Sequence, residues 1–249
     1  VHSLKDLATT FPQELFLSAV MEREDPRDAL LFGPSLAVDQ GDSIFHGVPN
    51  APEDLPHGAR VGTSSLRRRA LLARWRPDLQ LMDLRGNVPT RIEKLDRGDY
   101  DGIVLAAAGV KRLGLGDRIS AFLPFDFFLP AVSQGAVGVQ TRAEDMETRS
   151  WTDTLDHPST RAATTGERAL LRRVEGGCQV PVGAYAEVES NALRLRGVIC
   201  SLDGTLGVEG EVKGDVSQGE ALGVSLAEDL LCRGGEEILD GIRKEGNGN

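Results

Sequence analysis

Between Arg60 and Arg112 the chain repeats one pattern three times: a short apolar run, a tight polar turn and a charged helical stretch. Few folds accept that pattern. Arg60-Val61-Gly62 leads into Thr63-Ser64-Ser65, whose hydroxyls suit the cap of a helix starting near Leu66 and running through Arg67-Arg68-Arg69 to Trp75. A second strand-like run, residues 79–84, opens onto Arg85-Gly86-Asn87-Val88-Pro89-Thr90-Arg91, where the proline suits the first turn of a helix continuing to Asp96. Residues 100–107 supply a third strand, and Gly109 opens into a helix carrying Lys111 and Arg112. Strand, turn and helix repeated at this pitch predict a parallel α/β sheet.

The flanking sequence reads differently. Residues 15–21 form an apolar strand, followed by the charged turn Glu22-Arg23-Glu24-Asp25-Pro26-Arg27-Asp28. Residues 32–59 are rich in Gly, Pro and Asp with little periodicity, which predicts a domain crossing with a long loop. Residues 131–140 read as a strand with a tight turn near its start. A long helix then begins at Ser159-Thr160-Arg161 and is stopped after Val174 by Gly176-Gly177. Strand-like pieces at 185–188, 193–200 and 206–212 and a helix over 225–242 predict a separate small α+β domain.

At 249 residues and 40% hydrophobic content the chain can bury substantial cores. Its net charge of −10 argues against nucleic acid as a partner. There is no apolar run of bilayer length and no signal-peptide pattern, so no membrane role is expected. The chain opens at Val1 on what reads as the end of a strand, and a missing N-terminal portion is expected. Three cysteines without CxxC spacing suggest neither a disulfide framework nor a zinc site, and favour a reducing compartment. The four histidines are scattered, so no metal is expected.

Two features point to chemistry. Of the 28 basic residues 23 are arginine, and Arg67, Arg68, Arg85, Arg91 and Arg112 follow successive strand ends, where helix N-termini also present free N–H groups. Each arginine alone reads equally as a solvated helix face; five in this position indicate a polyanionic ligand at the carboxyl edge of the sheet. The second feature is Cys178 in Glu175-Gly176-Gly177-Cys178-Gln179-Val180-Pro181, a thiol in a bare glycine turn. A lone cysteine more often serves as a small buried hydrophobe, and Cys200 and Cys232 read as such core or semi-core thiols.

The chain resembles the porphobilinogen deaminase (hydroxymethylbilane synthase) family of tetrapyrrole biosynthesis. The resemblance rests on Val1-His2-Ser3-Leu4-Lys5-Asp6, residues 22–28, Val61-Gly62-Thr63-Ser64-Ser65-Leu66-Arg67-Arg68, Leu84-Arg85-Gly86-Asn87-Val88, Lys111-Arg112-Leu113-Gly114, Gln134-Gly135-Ala136 and residues 175–181, in the family's order across nearly the whole chain. It implies an α/β protein with two type II periplasmic-binding-protein-like domains, the first incomplete, an active site in the cleft between them, and a small C-terminal α+β domain. The implied division is 1–32 with 131–156, then 33–130, then 157–249, with hinge motion at 32–59 and 128–134.

The resemblance further implies a transferase that deaminates porphobilinogen and joins four units head to tail on a dipyrromethane cofactor, attached through a thioether to Cys178, before releasing hydroxymethylbilane. Asp6 takes the catalytic carboxylate position, where it stabilises the cation left by loss of ammonia and helps move protons; read on its sequence alone, it would be a helix cap or surface acid. Arg67, Arg68, Arg85, Arg91 and Arg112 take positions that bind acetate and propionate groups, with Ser3, Lys5, Thr63, Ser64 and Ser65 as supporting donors. A cytoplasmic monomer is expected, with a plastid location if the source is a photosynthetic eukaryote. Ser133 departs from the glycine usual in the family, and residues 32–59 are longer than in many relatives. The competing expectation is a non-catalytic type II binding module for a small anion, which gives Cys178 no role and has no third domain.

Overall fold

Backbone hydrogen bonding in the computed structural model, which describes residues 1–37, 52–175 and 180–246, sorts the strands into three sheets. In chain order the elements are β1 (His2–Ser3), β2 (Leu15–Val20), β3 (Asp28–Phe32), α1 (Pro34–Ala37), β4 (Arg60–Gly62), α2 (Leu66–Trp75), β5 (Gln80–Met82), α3 (Val88–Asp96), β6 (Gly102–Ala106), α4 (Ala107–Arg112) and β7 (Ala121–Phe122). Then come β8 (Val137–Arg142), α5 (Met146–Thr152), α6 (Pro158–Glu175), β9 (Val182–Glu189), β10 (Ala192–Cys200), β11 (Gly207–Asp215), α7 (Gly219–Leu230) and α8 (Glu236–Gly246). Contacts group them into two units: Arg27–Phe128 with Leu202–Thr205, and Val1–Pro26 with Leu129–Ser201 and Leu206–Asn249.

The first of these units holds a five-stranded sheet in the order β5-β4-β6-β3-β7. β4 runs parallel to β5 and β6, as the three repeats predict, but β3 lies antiparallel between β6 and β7, so the sheet is mixed and not wholly parallel. The physical reason lies in Asp28-Ala29-Leu30-Leu31-Phe32, which is buried at every position and so belongs inside a sheet covered on both faces. The charge run before it disguised that strand as the tail of a solvated turn. The crossing into this unit therefore falls at Arg27, before β3 and not after Phe32, and the chain leaves it at Phe128. Half of the loop expected over 32–59 lies outside the described residues.

Local chemistry sets the helices of this unit. Ser65 caps α2 by accepting from the Arg68 amide, and Asn87 caps α3 by accepting from the Thr90 amide with a proline in the first turn. α2 buries Ala70, Leu71 and Leu72, and α3 buries Ile92 and Leu95 in one cluster with Leu84, Ile103, Leu105 and Val110. Each fully buried leucine there contributes about 1.5–3 kcal/mol.

The other unit carries two three-stranded sheets, β1-β8-β2 and β11-β10-β9. α6 and α7 cover the second sheet, with Leu170, Val174, Leu193, Leu195, Ile199, Leu226 and Leu230 in one core. The helix expected over 225–242 is broken, because Gly234 adopts φ 111° between α7 and α8. Cys232 stands at this break and is exposed, contrary to the semi-core expectation; Cys200 ends β10 and is buried as expected.

Over 131–140 the tight turn expected near the start is present, and the strand begins after it, at Val137. In that turn Ser133 has φ 62° and Gly135 φ 90°. A Cβ at Gly135 would collide with the Glu24 carbonyl, so glycine is required there on two counts. The turn is held from behind by Glu167 of α6, which is fully buried. Its carboxylate accepts from Arg23 Nη1 (2.6 Å) and Nη2 (3.2 Å), from the Ser133 amide (2.6 Å) and from the Ala186 amide (2.8 Å). Among the described residues no helix is long and apolar enough to cross a membrane.

Candidate functional site

The loops leaving the carboxyl ends of β4, β5 and β6 lie in one unit, and they bring together most of the arginines marked by the sequence. Thr63, Ser64 and Ser65 leave β4, but their hydroxyls serve the loop itself. Thr63 is buried and its Oγ1 accepts from the Ser65 amide (3.3 Å). Ser64 Oγ donates to the Leu84 carbonyl (3.1 Å) and accepts from the Leu84 amide (2.9 Å), tying the loop after β4 to the loop after β5. Ser65 Oγ is the α2 cap.

Arg67 and Arg68 occupy the first turn of α2, and both are buried, so the solvated-face alternative does not apply to them. They converge on Asp28, the first residue of β3, itself fully buried. Arg67 Nη1 lies 2.8 Å from Asp28 Oδ2, while Arg68 Nε and Nη2 lie 2.9 Å and 2.7 Å from Oδ1. Arg68 Nη1 also donates to the Val104 carbonyl (3.0 Å). Burial pulls the Arg67 pKa below its ordinary value, Asp28 opposes that, and the charge of Arg68 adds to the lowering.

Arg91 on α3 donates from Nε to the Gly86 carbonyl (2.7 Å). Its pKa is likewise lowered, first by burial and then by the charge of Arg68. Two guanidinium groups thus share one carboxylate, and the charge of Arg68 opposes those of both Arg67 and Arg91. Arg85 is exposed after β5, with its carbonyl accepting from Lys94 Nζ (3.0 Å), and Arg112 is exposed at the end of α4.

Ser3, Lys5 and Asp6 belong to the other unit. Ser3 ends β1 opposite Val137, and Leu4–Asp6 form one 3-10 turn pinned by the fully buried Leu4 and by the Leu4 amide donating to the Ala136 carbonyl (3.0 Å). Lys5 Nζ reaches Gln134 Oε1 at 3.4 Å. Asp6 is exposed at the end of the turn, where it caps no helix. Cys178 lies outside the described residues; α6 ends at Glu175, three positions before it.

Sequence reasoning did not single out Asp28, Glu167 or Gln134. For Asp28 a signal existed: the unbroken apolar run 29–32 directly after it marks a strand start, which turns a solvated acid into one at the edge of a sheet. Glu167 sits on the apolar side of α6, where one acid among Leu170 and Val174 calls for a buried cation.

Taken together, these features define an α/β protein with arginines gathered at the strand ends of one unit and an exposed acid on a short pinned turn of the other. The family described as "Porphobilinogen deaminase, dipyromethane cofactor binding domain" matches residues 1–150, and "Porphobilinogen deaminase, C-terminal domain" matches residues 162–232. The chain belongs to the porphobilinogen deaminase family. A porphobilinogen deaminase of Carboxydothermus hydrogenoformans is 48% identical over 247 residues, covering 99% of this chain and 75% of that protein. One of Geotalea uraniireducens is 48% identical over 239 residues, covering 96% of this chain and 70% of that protein. Among solved structures, an ABC transporter / periplasmic binding protein from Brucella ovis with glutathione bound aligns at a TM-score of 0.36 and 15% identity, over 66% of this chain and 45% of that one. That likeness is too low to bear on the fold.

Proposed function

We propose that this chain performs its family's transferase reaction, the deamination and head-to-tail joining of four porphobilinogen molecules to give hydroxymethylbilane, with Asp6 as the catalytic carboxylate and Cys178 as the attachment point of dipyrromethane. Arg67, Arg68, Arg85, Arg91 and Arg112 hold the acetate and propionate groups of the pyrrole rings. The observation that carries this reading is the excess of two guanidinium groups, Arg67 and Arg68, over the one carboxylate they share, that of Asp28. A ligand with two carboxylates per ring suits that excess, so the residues present fit the cofactor as well as the substrate. When bound, the cofactor supplies a free pyrrole end for chain growth. Asp6, exposed on its turn, is available to a substrate cation, and Lys5 and Ser3 beside it supply donors.

The C-terminal layer of β9–β11 with α6–α8 forms the cofactor-attachment domain of this proposal, because α6 runs directly into the segment that carries Cys178. A non-catalytic anion-binding module, the competing reading, has no use for the C-terminal domain matched over 162–232. A monomer in the cytoplasm is the working arrangement: the family resemblance supports the monomer, and three cysteines without CxxC spacing support a reducing compartment.

Intact-mass spectrometry tests the proposal. The protein should carry an adduct of two pyrrole units that Cys178→Ala removes; a folded, active protein of unmodified mass would overturn the tether. Asp6→Ala should lower kcat by roughly 100-fold or more while porphobilinogen still binds.

A further inference from the structure

We infer that Asp28 is a positioning residue for the reaction, holding the guanidinium groups of Arg67 and Arg68 in the one arrangement that receives a ring carboxylate; this rests on the proposed role of those two arginines. Consecutive residues on a helix point about 100° apart, so neighbouring arginines do not converge by default. Arg69, the next in line, turns away to an exposed contact with Asp83 (3.4 Å). Arg67 and Arg68 meet because one fully buried carboxylate divides its oxygens between them, Oδ2 to Arg67 and Oδ1 to Arg68.

The topology explains why that carboxylate comes from β3. This strand runs antiparallel to β6, so its first residue lies at the edge where the parallel strands end: Asp28 is paired in register with Ala106, the last residue of β6. An antiparallel strand thus delivers an acid to the edge where Thr63 to Ser65 leave β4. With the carboxylate displaced, the two long side chains lose their shared anchor and repel each other.

The test uses the cofactor-bearing enzyme with Asp28→Glu, which keeps the charge and moves the carboxylate outward by one methylene, and Asp28→Asn, which keeps the shape and removes the charge. Steady-state kinetics on porphobilinogen should show KM raised roughly 10-fold or more in both, with kcat much less affected. Ile103→Val, a buried substitution in the same sheet, lowers Tm and should leave KM unchanged, which separates positioning from general loosening. Arg68→Lys separates the inference from its premise. If Arg68→Lys raises KM while both Asp28 variants keep the wild-type value, only the positioning role of Asp28 fails. If Arg68→Lys also leaves KM unchanged, the carboxylate-binding role of the arginine fails with it. Should Asp28→Asn not fold, Asp28→Glu decides; failure of both to fold makes Asp28 a structural residue only and overturns the inference.

Discussion

Glu167 and Asp28 are both fully buried carboxylates that face arginine, yet one arrangement is closed and the other is left open. Glu167 spends its oxygens on one guanidinium and two backbone amides, and Arg23 spends its remaining Nε on the Gln134 carbonyl (2.8 Å). One cation meets one anion and little is left for a ligand. Around Asp28 the count runs the other way: Arg67 and Arg68 share it, and Arg91 stands near enough to Arg68 for their charges to oppose. The difference separates a buried ion pair that fixes a turn from one that prepares a surface for an anion. Burying charge is costly in both places, and the second sets two guanidinium groups against one shared carboxylate.

Removing Glu167 is the hardest blow to that contrast. Glu167→Ala should destabilise its unit by about 3–5 kcal/mol, because Arg23 becomes an uncompensated buried charge and the Ser133 and Ala186 amides lose their acceptor. Chemical denaturation measures it, and a loss under about 1 kcal/mol would remove the distinction between the two carboxylates. A smaller change sharpens the picture of the turn that Glu167 braces. Ser133 sits at φ 62°, fully buried, and its hydroxyl has no hydrogen-bond partner among the described residues. Ser133→Gly keeps the amide that Glu167 accepts from and relieves both costs, so it should raise stability by about 1 kcal/mol.

The smallest effect concerns pairs near the surface of the arginine-rich unit. Arg76 hydrogen-bonds Asp78 and Arg60 hydrogen-bonds Asp101, and in each case that bond holds the aspartate below the usual carboxylate range against the opposing effect of burial. A folded-state pKa below the unfolded one stabilises the protein above pH ~4, and the benefit disappears as pH falls through the folded value. The urea midpoint should therefore stay level with respect to these pairs from about pH 7 to 5 and drop below about pH 4. Asp101→Asn should flatten part of that drop; an unchanged acid limb would show that the pair contributes nothing.

The elements with local signals were legible. α2 and α3 run over the residues expected of them, because Ser65, Asn87 and Pro89 act within one helical turn. Long-range pairings were not. Arg67 and Arg68 are 39 and 40 residues from Asp28 along the chain, and Arg23 is 144 from Glu167, separations across which no spacing rule operates. The five arginines were expected as a group after successive strand ends, but their sequence gives no hint that two point inward to an acid while Arg85 and Arg112 stay exposed. Likewise Ser64 was expected to donate to a ligand, whereas its hydroxyl ties two loops together.

The break between α7 and α8 has a use at the bench. Of the two cysteines among the described residues, Cys200 is sealed inside a strand and Cys232 stands exposed at the kink beside Gly234. A maleimide fluorophore added under native conditions should choose Cys232 over Cys200, giving an optical reporter on the C-terminal helices without touching any arginine of the site.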